Sequence, residues 1–309
     1  MPSVKAVISV GLALVLAACA RPLVREGETA PKAPTEGKAA EKAEPRKPDL
    51  PKQDLTEELL FQYLLAEVAS QRGSLPIAAG TYLELARNTR DPRIAQRAAE
   101  LALQARLLSP ALDATSLWLE LDPESVRARQ TLAALLVNNS KLDEARPHLE
   151  KLLAAEQENV GQGFLQLNGL LARHGDKAAV LKLVKELAKP YPRRAEAHVA
   201  IAQAAWYAAD LDAAIVALKE ARDLRPDWEM AVLFHAQILQ RKGLHAQALE
   251  EFRSFLGEYP KSRETRLAYA RALATEKDYT RARAEFQRLL ADFQAAPEVM
   301  VAVGLLSLQ

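Results

Sequence analysis

Side chains able to do chemistry are few and scattered along this 309-residue chain. A lone cysteine, Cys19, excludes an intramolecular disulfide framework and a thiolate metal cluster. The five histidines, His148, His174, His198, His235 and His245, stand in five separate places, and none has a metal-ligand spacing such as HExxH. His198 and His235 fall on the packing stripe of helical segments and read as core histidines with satisfied ring nitrogens. Gly161-Gln162-Gly163 lacks the strand and phosphate-loop context that would give a glycine pair meaning. Carboxylates alternate with basic residues, as in Lys219, Glu220, Arg222 and Asp223, which is the pattern of a solvated helix face. GxSxG, CxxC and Walker sequences are missing. The expectation is a protein that is not an enzyme and uses no metal and no cofactor.

Cys19 itself has a context. Met1–Lys5 carries one basic residue, and 6–18 is an apolar run, long enough for a signal h-region and too short to span a bilayer. The run ends Leu16-Ala17-Ala18-Cys19, which resembles the bacterial lipobox: a branched apolar residue, two small residues, then the cysteine that accepts a diacylglyceryl group. The resemblance implies a signal peptide over 1–18 and lipidation of Cys19, with palmitate among the acyl chains that hold the protein to a membrane. Ala20 stands where an aspartate would favour inner-membrane retention in enteric bacteria, so the resemblance implies the periplasmic face of the outer membrane.

Residues 20–52 hold six prolines, six alanines, eight basic and six acidic residues, and little to bury. Such a composition does not offset the entropy of ordering, so 19–52 is expected to be a disordered tether with a reach of roughly 30 Å. The net charge of +1 gives no pull toward nucleic acid. Alanine and leucine dominate, glycine numbers 12 and aromatics are 6%, which favours helices.

From Leu55 the chain is periodic. Small residues at Ala78, Ala111, Ala145, Val180, Ala214, Ala248 and Ala282 follow one another at steps of 33, 34, 35, 34, 34 and 34. Twelve residues before each stands a partner: Ala66, Ala99, Ala133, Asn168, Ala202, Ala236 and Ala270. Alanine at both places fits two helices crossing closely. Four and seven residues past each anchor runs one apolar stripe, from Tyr82 and Leu85 to Phe286 and Leu289. Pro123, Pro192, Pro226 and Pro260 mark ends of second helices, and Gly73, Gly175 and Gly243 mark inter-helix turns where positive φ is wanted. Asn168 and Val180 break the alanine rule after the 35-residue step, so a change of superhelical pitch is expected between residues 155 and 175, with Gly169 supplying room.

This spacing resembles the tetratricopeptide repeat, a helix-turn-helix unit of about 34 residues. The resemblance implies an all-α, right-handed helical solenoid over 55–309, of about seven repeats plus one extra C-terminal helix. It also implies that first helices line a concave groove. The groove positions carry Tyr63, Glu67, Arg93, Gln96, Glu100, Gln104, Arg127, Gln130 and Asn138. They continue through Gln162, Gln166, Arg173, Gln203, Trp206, Tyr207, Gln237, Gln240, Arg241 and Arg271. Amides both donate to and accept from a peptide backbone, and aromatic and arginine side chains are favoured anchors. Packing does not call for Trp206 and Tyr207 where they stand, which singles them out. The two-lysine carboxylate clamp of chaperone-binding relatives is missing, with Tyr63 and Glu67 at its first two places.

Residues 297–309, PEVMVAVGLLSLQ, read as the first helix of an eighth repeat with apolar side chains on every side. Terminal solenoid units need a polar outer face, so either the chain is the N-terminal part of a longer protein or this helix closes on another subunit by self-association. Taken together, the chain resembles bacterial tetratricopeptide-repeat lipoproteins of the Gram-negative envelope. They imply a non-catalytic scaffold or assembly factor, anchored to the outer membrane, holding a partner protein or peptide in its groove. An activator of a peptidoglycan synthase or hydrolase is the alternative. A glycan-binding or lytic enzyme would need paired carboxylates in a cleft, which no spacing here places.

Overall fold

The computed structural model describes residues 50–292, all within the second of the two units into which the chain divides after Lys47. The expected signal peptide, Cys19, most of the expected tether and the helix expected at 297–309 lie outside the described residues. Among the described residues there are fourteen α-helices and no strand. They form seven successive pairs: α1 (Glu57–Gln71) with α2 (Leu75–Thr89), α3 (Pro92–Gln104) with α4 (Leu108–Leu121), α5 (Val126–Asn138) with α6 (Leu142–Ala155), and α7 (Val160–Leu171) with α8 (Lys177–Ala188). The last three are α9 (Ala195–Tyr207) with α10 (Leu211–Leu224), α11 (Glu229–Arg241) with α12 (His245–Glu258), and α13 (Arg263–Thr275) with α14 (Tyr279–Asp292). The all-α tetratricopeptide-type solenoid expected from the spacing is the architecture observed.

The crossing positions explain the regularity. In six of the seven pairs both crossing residues are alanine and buried, from Ala66 and Ala78 to Ala270 and Ala282. A methyl at each place lets the axes approach, and a larger side chain would force them apart. The second-helix stripe is buried throughout with one exception, Leu152, which is half-buried.

Six of the seven turns inside the pairs have three residues, with the middle one at positive φ: Gly73, Arg106, Ser140, Ala209, Gly243 and Lys277. Each closes with an amide bonding a carbonyl five residues back, such as Asp210 N–H to Ala205 O at 2.9 Å, the Schellman arrangement. Side chains of Asp210 and Asp278 then cap the following helix on Ala213 N–H (3.0 Å) and Arg281 N–H (3.1 Å). Between pairs, one device recurs. Arg129, His198 and Arg266, equivalent residues of α5, α9 and α13, each donate to the carbonyl of the proline six residues earlier, Pro123, Pro192 and Pro260. That ties the entry of each of those first helices to the preceding turn.

The fourth pair departs, in the region where the sequence breaks its rule. Asn168 and Val180 occupy the crossing and are buried, and α7 and α8 lack the close mutual packing of the other six pairs. Gly169 does not supply room there, since it faces open space. The turn has five residues, and Gly175 in it does not adopt positive φ. Instead the His174 ring accepts from Asp176 N–H at 3.1 Å through Nδ1, Asp176 caps Ala179 N–H at 2.9 Å, and Lys177 Nζ donates to Ala172 O at 2.7 Å. Side chains do here what a left-handed residue does elsewhere. Pro147 is inside α6, which runs on through it to Ala155.

Candidate partner-binding face

The residues named for the groove fall on first helices with one exception. Because α7 ends at Leu171, Arg173 lies in the turn that follows it, exposed, and not on a helix. Asn138 is the last residue of α5 and exposed, Gln237 is exposed on α11, Gln203 is half-buried on α9, and Arg271 lies on α13.

Several of these residues meet across neighbouring first helices. Gln96 donates to Glu100 at 2.9 Å along α3, and Arg127 of α5 reaches the same carboxylate oxygen at 3.0 Å. Gln130 of α5 and Gln166 of α7 line one cavity. At the amino end, Tyr63 stands edge-on to Tyr82 of α2, with centroids 6.2 Å apart, and Glu67 accepts from the Tyr82 hydroxyl at 2.7 Å. Burial, then the Glu67 carboxylate, push the Tyr82 phenol far above its ordinary range. Tyr63 and Glu67 thus lean on the second helix of their own pair. Arg93 bonds back to its own helix cap, Asp91, at 2.6 Å, and that contact holds the Asp91 carboxyl below the usual carboxylate range.

The fullest assembly is on α9 and α11. The Trp206 ring meets Phe234 at 6.0 Å between centroids, near edge-to-face, and the Arg241 guanidinium carbon lies 4.7 Å from the Trp206 centroid. Tyr207 is 45% exposed, with Lys177 Nζ 5.5 Å from its ring. This corrects one expectation. Packing does account for part of Trp206, which is half-buried against Phe234. Phe234 and Lys177 were not singled out in the sequence, because one reads as stripe and the other as a surface charge. What stays open to solvent is the Tyr207 ring and the Arg241 side chain.

The histidines take separate structural parts. His198 donates from Nε2 to Pro192 O at 2.9 Å, with Nδ1 2.8 Å from Glu220. His235 is buried with Nδ1 3.2 Å from Glu251, which itself pairs with Arg222 at 2.5 Å. Contrary to expectation, neither ring nitrogen of His235 completes a well-directed hydrogen bond among the described residues, and Nδ1 of His198 does not either. Burial, then the charges of Arg129 and Lys151, lower the His148 pKa. The glycine pair has a packing role: a Cβ on Gly161 would stand 2.7 Å from the Glu196 carboxyl carbon, and one on Gly163 would stand 3.0 Å from Leu153. Among the described residues no cluster of three or more His, Cys, Asp or Glu could hold a metal ion, and no helix is long and apolar enough to cross a membrane.

Residues 239–300 match the family model for the tetratricopeptide repeat. A TPR repeat-containing protein of Pseudomonas aeruginosa is 28% identical over 238 residues, covering 77% of this chain and 39% of the relative. The chain therefore spans about two fifths of the length of the curated relative it matches. Among solved structures, the C-terminal part of a TPR repeat-containing protein from Cytophaga hutchinsonii is 13% identical, with a TM-score of 0.46, covering 79% of this chain and 99% of that one. A tetratricopeptide repeat protein from Parabacteroides merdae is 11% identical, with a TM-score of 0.38 and coverage of 82% and 100%.

Proposed function

We propose that this protein is a non-catalytic scaffold that holds a partner protein or peptide along the face of its first helices. The carrying observation is the cluster on α9 and α11, where Arg241 stacks on Trp206 and the neighbouring Tyr207 is left 45% exposed. Arginine and aromatic side chains fixed in place before binding lose little entropy on contact, which is why such groups dominate interface energetics. Amides at Gln203 and Gln237 flank the cluster and match a peptide backbone.

The scaffold is anchored to the periplasmic face of the outer membrane through lipid on Cys19, a reading supported by Leu16-Ala17-Ala18-Cys19. A second reading, activation of a peptidoglycan synthase or hydrolase, is favoured by the proline-rich stretch 20–52, whose length gives reach away from the membrane. Replacing Tyr207 and Arg241 together by alanine tests the scaffold reading, with crosslinking in cells followed by co-purification. Loss of a co-purified partner with helicity retained is expected. Undiminished recovery would remove the α9–α11 cluster as the binding site.

A further inference from the structure

The fourth repeat's irregularity leaves an opening beside the same face. The step from Ala145 to Val180 is 35 residues, and a 3-10 turn at Gln157–Asn159 intervenes between α6 and α7. Among the described residues, α7 packs less closely on α6 than any other first helix packs on the second helix before it. Between α5, α6 and α7 lies a cavity of about 300 Å³. Its walls are leucines: Leu149, Leu153 and Leu167 are buried, and Leu152 and Leu170 are half-buried. Leu152 is the one member of the second-helix stripe that its own repeat fails to cover. Gly163 keeps the wall open where it nears Leu153. Three exposed polar side chains edge the cavity: Gln130, Gln166 and Glu156.

We infer that this cavity takes a bulky apolar side chain, aromatic or branched aliphatic, from an extended segment of the partner, whose backbone is bonded by the amides of Gln130 and Gln166. The inference rests on the scaffold reading and names the chemistry of what is held. The volume is at the lower end of cavities that take whole small molecules, which suits one side chain. The leucine wall offers a polar group no partner and rewards apolar burial. Each amide offers a donor and an acceptor, the complement of a peptide's C=O and N–H. Glu156 at the edge would repel the carboxylate that a free fatty acid leaves there, and a neutral backbone meets no such repulsion.

The full chain, with leucine methyl groups isotopically labelled, is titrated with acetyl-Ala-Phe-Ala-amide and with acetyl-Ala-Ala-Ala-amide and followed by NMR. The phenylalanine peptide is expected to shift the methyl signals of Leu152, Leu153 and Leu170 and to bind at least about tenfold more tightly than the alanine peptide. Gln166→Trp and Gln130→Trp each plug the opening from an exposed position, and each should abolish those shifts. Equal responses to the two peptides, no response, or shifts that persist in both plugged variants would overturn the inference. So would octanoate shifting the same methyls more tightly than the phenylalanine peptide does, since that would assign the cavity to acyl chains. The scaffold reading fails separately. Peptide binding here with undiminished co-purification from the Tyr207 and Arg241 variant removes the α9–α11 cluster and leaves the cavity, and the converse removes the cavity alone.

Discussion

The guanidinium carbon of Arg241 stands 4.7 Å from the centroid of the Trp206 ring, so first helices of two successive repeats are joined by side chains at the surface as well as by the core. An exposed cation–π contact contributes about 0.5–1 kcal/mol. A double-mutant cycle of Arg241→Ala and Trp206→Leu, read by chemical denaturation, is expected to give a coupling energy of that size. Strict additivity would mean the two merely lie close.

The alanine crossings should be intolerant of volume. Ala202 is fully buried where α9 meets α10, so Ala202→Leu is expected to cost about 1–3 kcal/mol or more through overpacking. Asn168 at the equivalent place sits between helices that are not closely packed, and its amide nitrogen is buried without a partner. Asn168→Leu should therefore be neutral or stabilising. Thermal melts by circular dichroism of the two variants test the contrast, and equal losses would contradict it.

The turns give a third expectation. An L-residue in the left-handed region costs roughly 1 kcal/mol, and glycine avoids it at some cost in unfolded-state entropy. Ala209→Gly and Lys277→Gly, at φ of 59° and 63°, should each raise stability by up to about 1 kcal/mol. Gly73→Ala, at φ 76°, should lower it by about the same amount. Gly175→Ala should show no such loss, because Gly175 does not adopt positive φ. Melting temperatures of the four variants decide this.

Asp91 supplies a pH dependence. It is buried, caps α3 on Arg93 N–H at 2.9 Å, and its carboxyl is held below the ordinary value, first by the Arg93 side chain. A folded-state pKa lowered in this way gives stability that is fully present above the unfolded value, near 4, and is lost as pH falls through the folded value. Asp91→Ala is expected to cost about 1 kcal/mol at pH 7. The gap between it and the parent should close as pH drops below about 4. A gap that widened in acid would contradict the assignment.

Much of the fold was legible because its rule is steric and local. Ala66 to Ala282 announce the helix crossings by size alone, and the prolines announce the helix ends. The break at Asn168 and Val180 was legible too, but not its form. Whether larger crossing residues are absorbed by a neighbouring glycine or by separating the helices depends on the whole packing, and Gly169 turned out to face open space. Gly175 misled because a longer turn closed by His174, Asp176 and Lys177 removes the need for positive φ. Within the face, Gln96, Glu100 and Arg127 could be named singly, but their meeting across α3 and α5 required the register between repeats. Phe234 behind Trp206 was hidden for the same reason, as was the cavity beside Leu152.

On the proposed scaffold reading, partners are held on the first helices. A photo-crosslinking amino acid placed in cells at Tyr207 or Gln237 on that face, and at Lys219 or Asp223 on α10, separates the two surfaces. A discrete crosslinked partner is expected from Tyr207 and Gln237 and none from Lys219 and Asp223. A partner captured equally from both sets, or from the α10 positions alone, would contradict it.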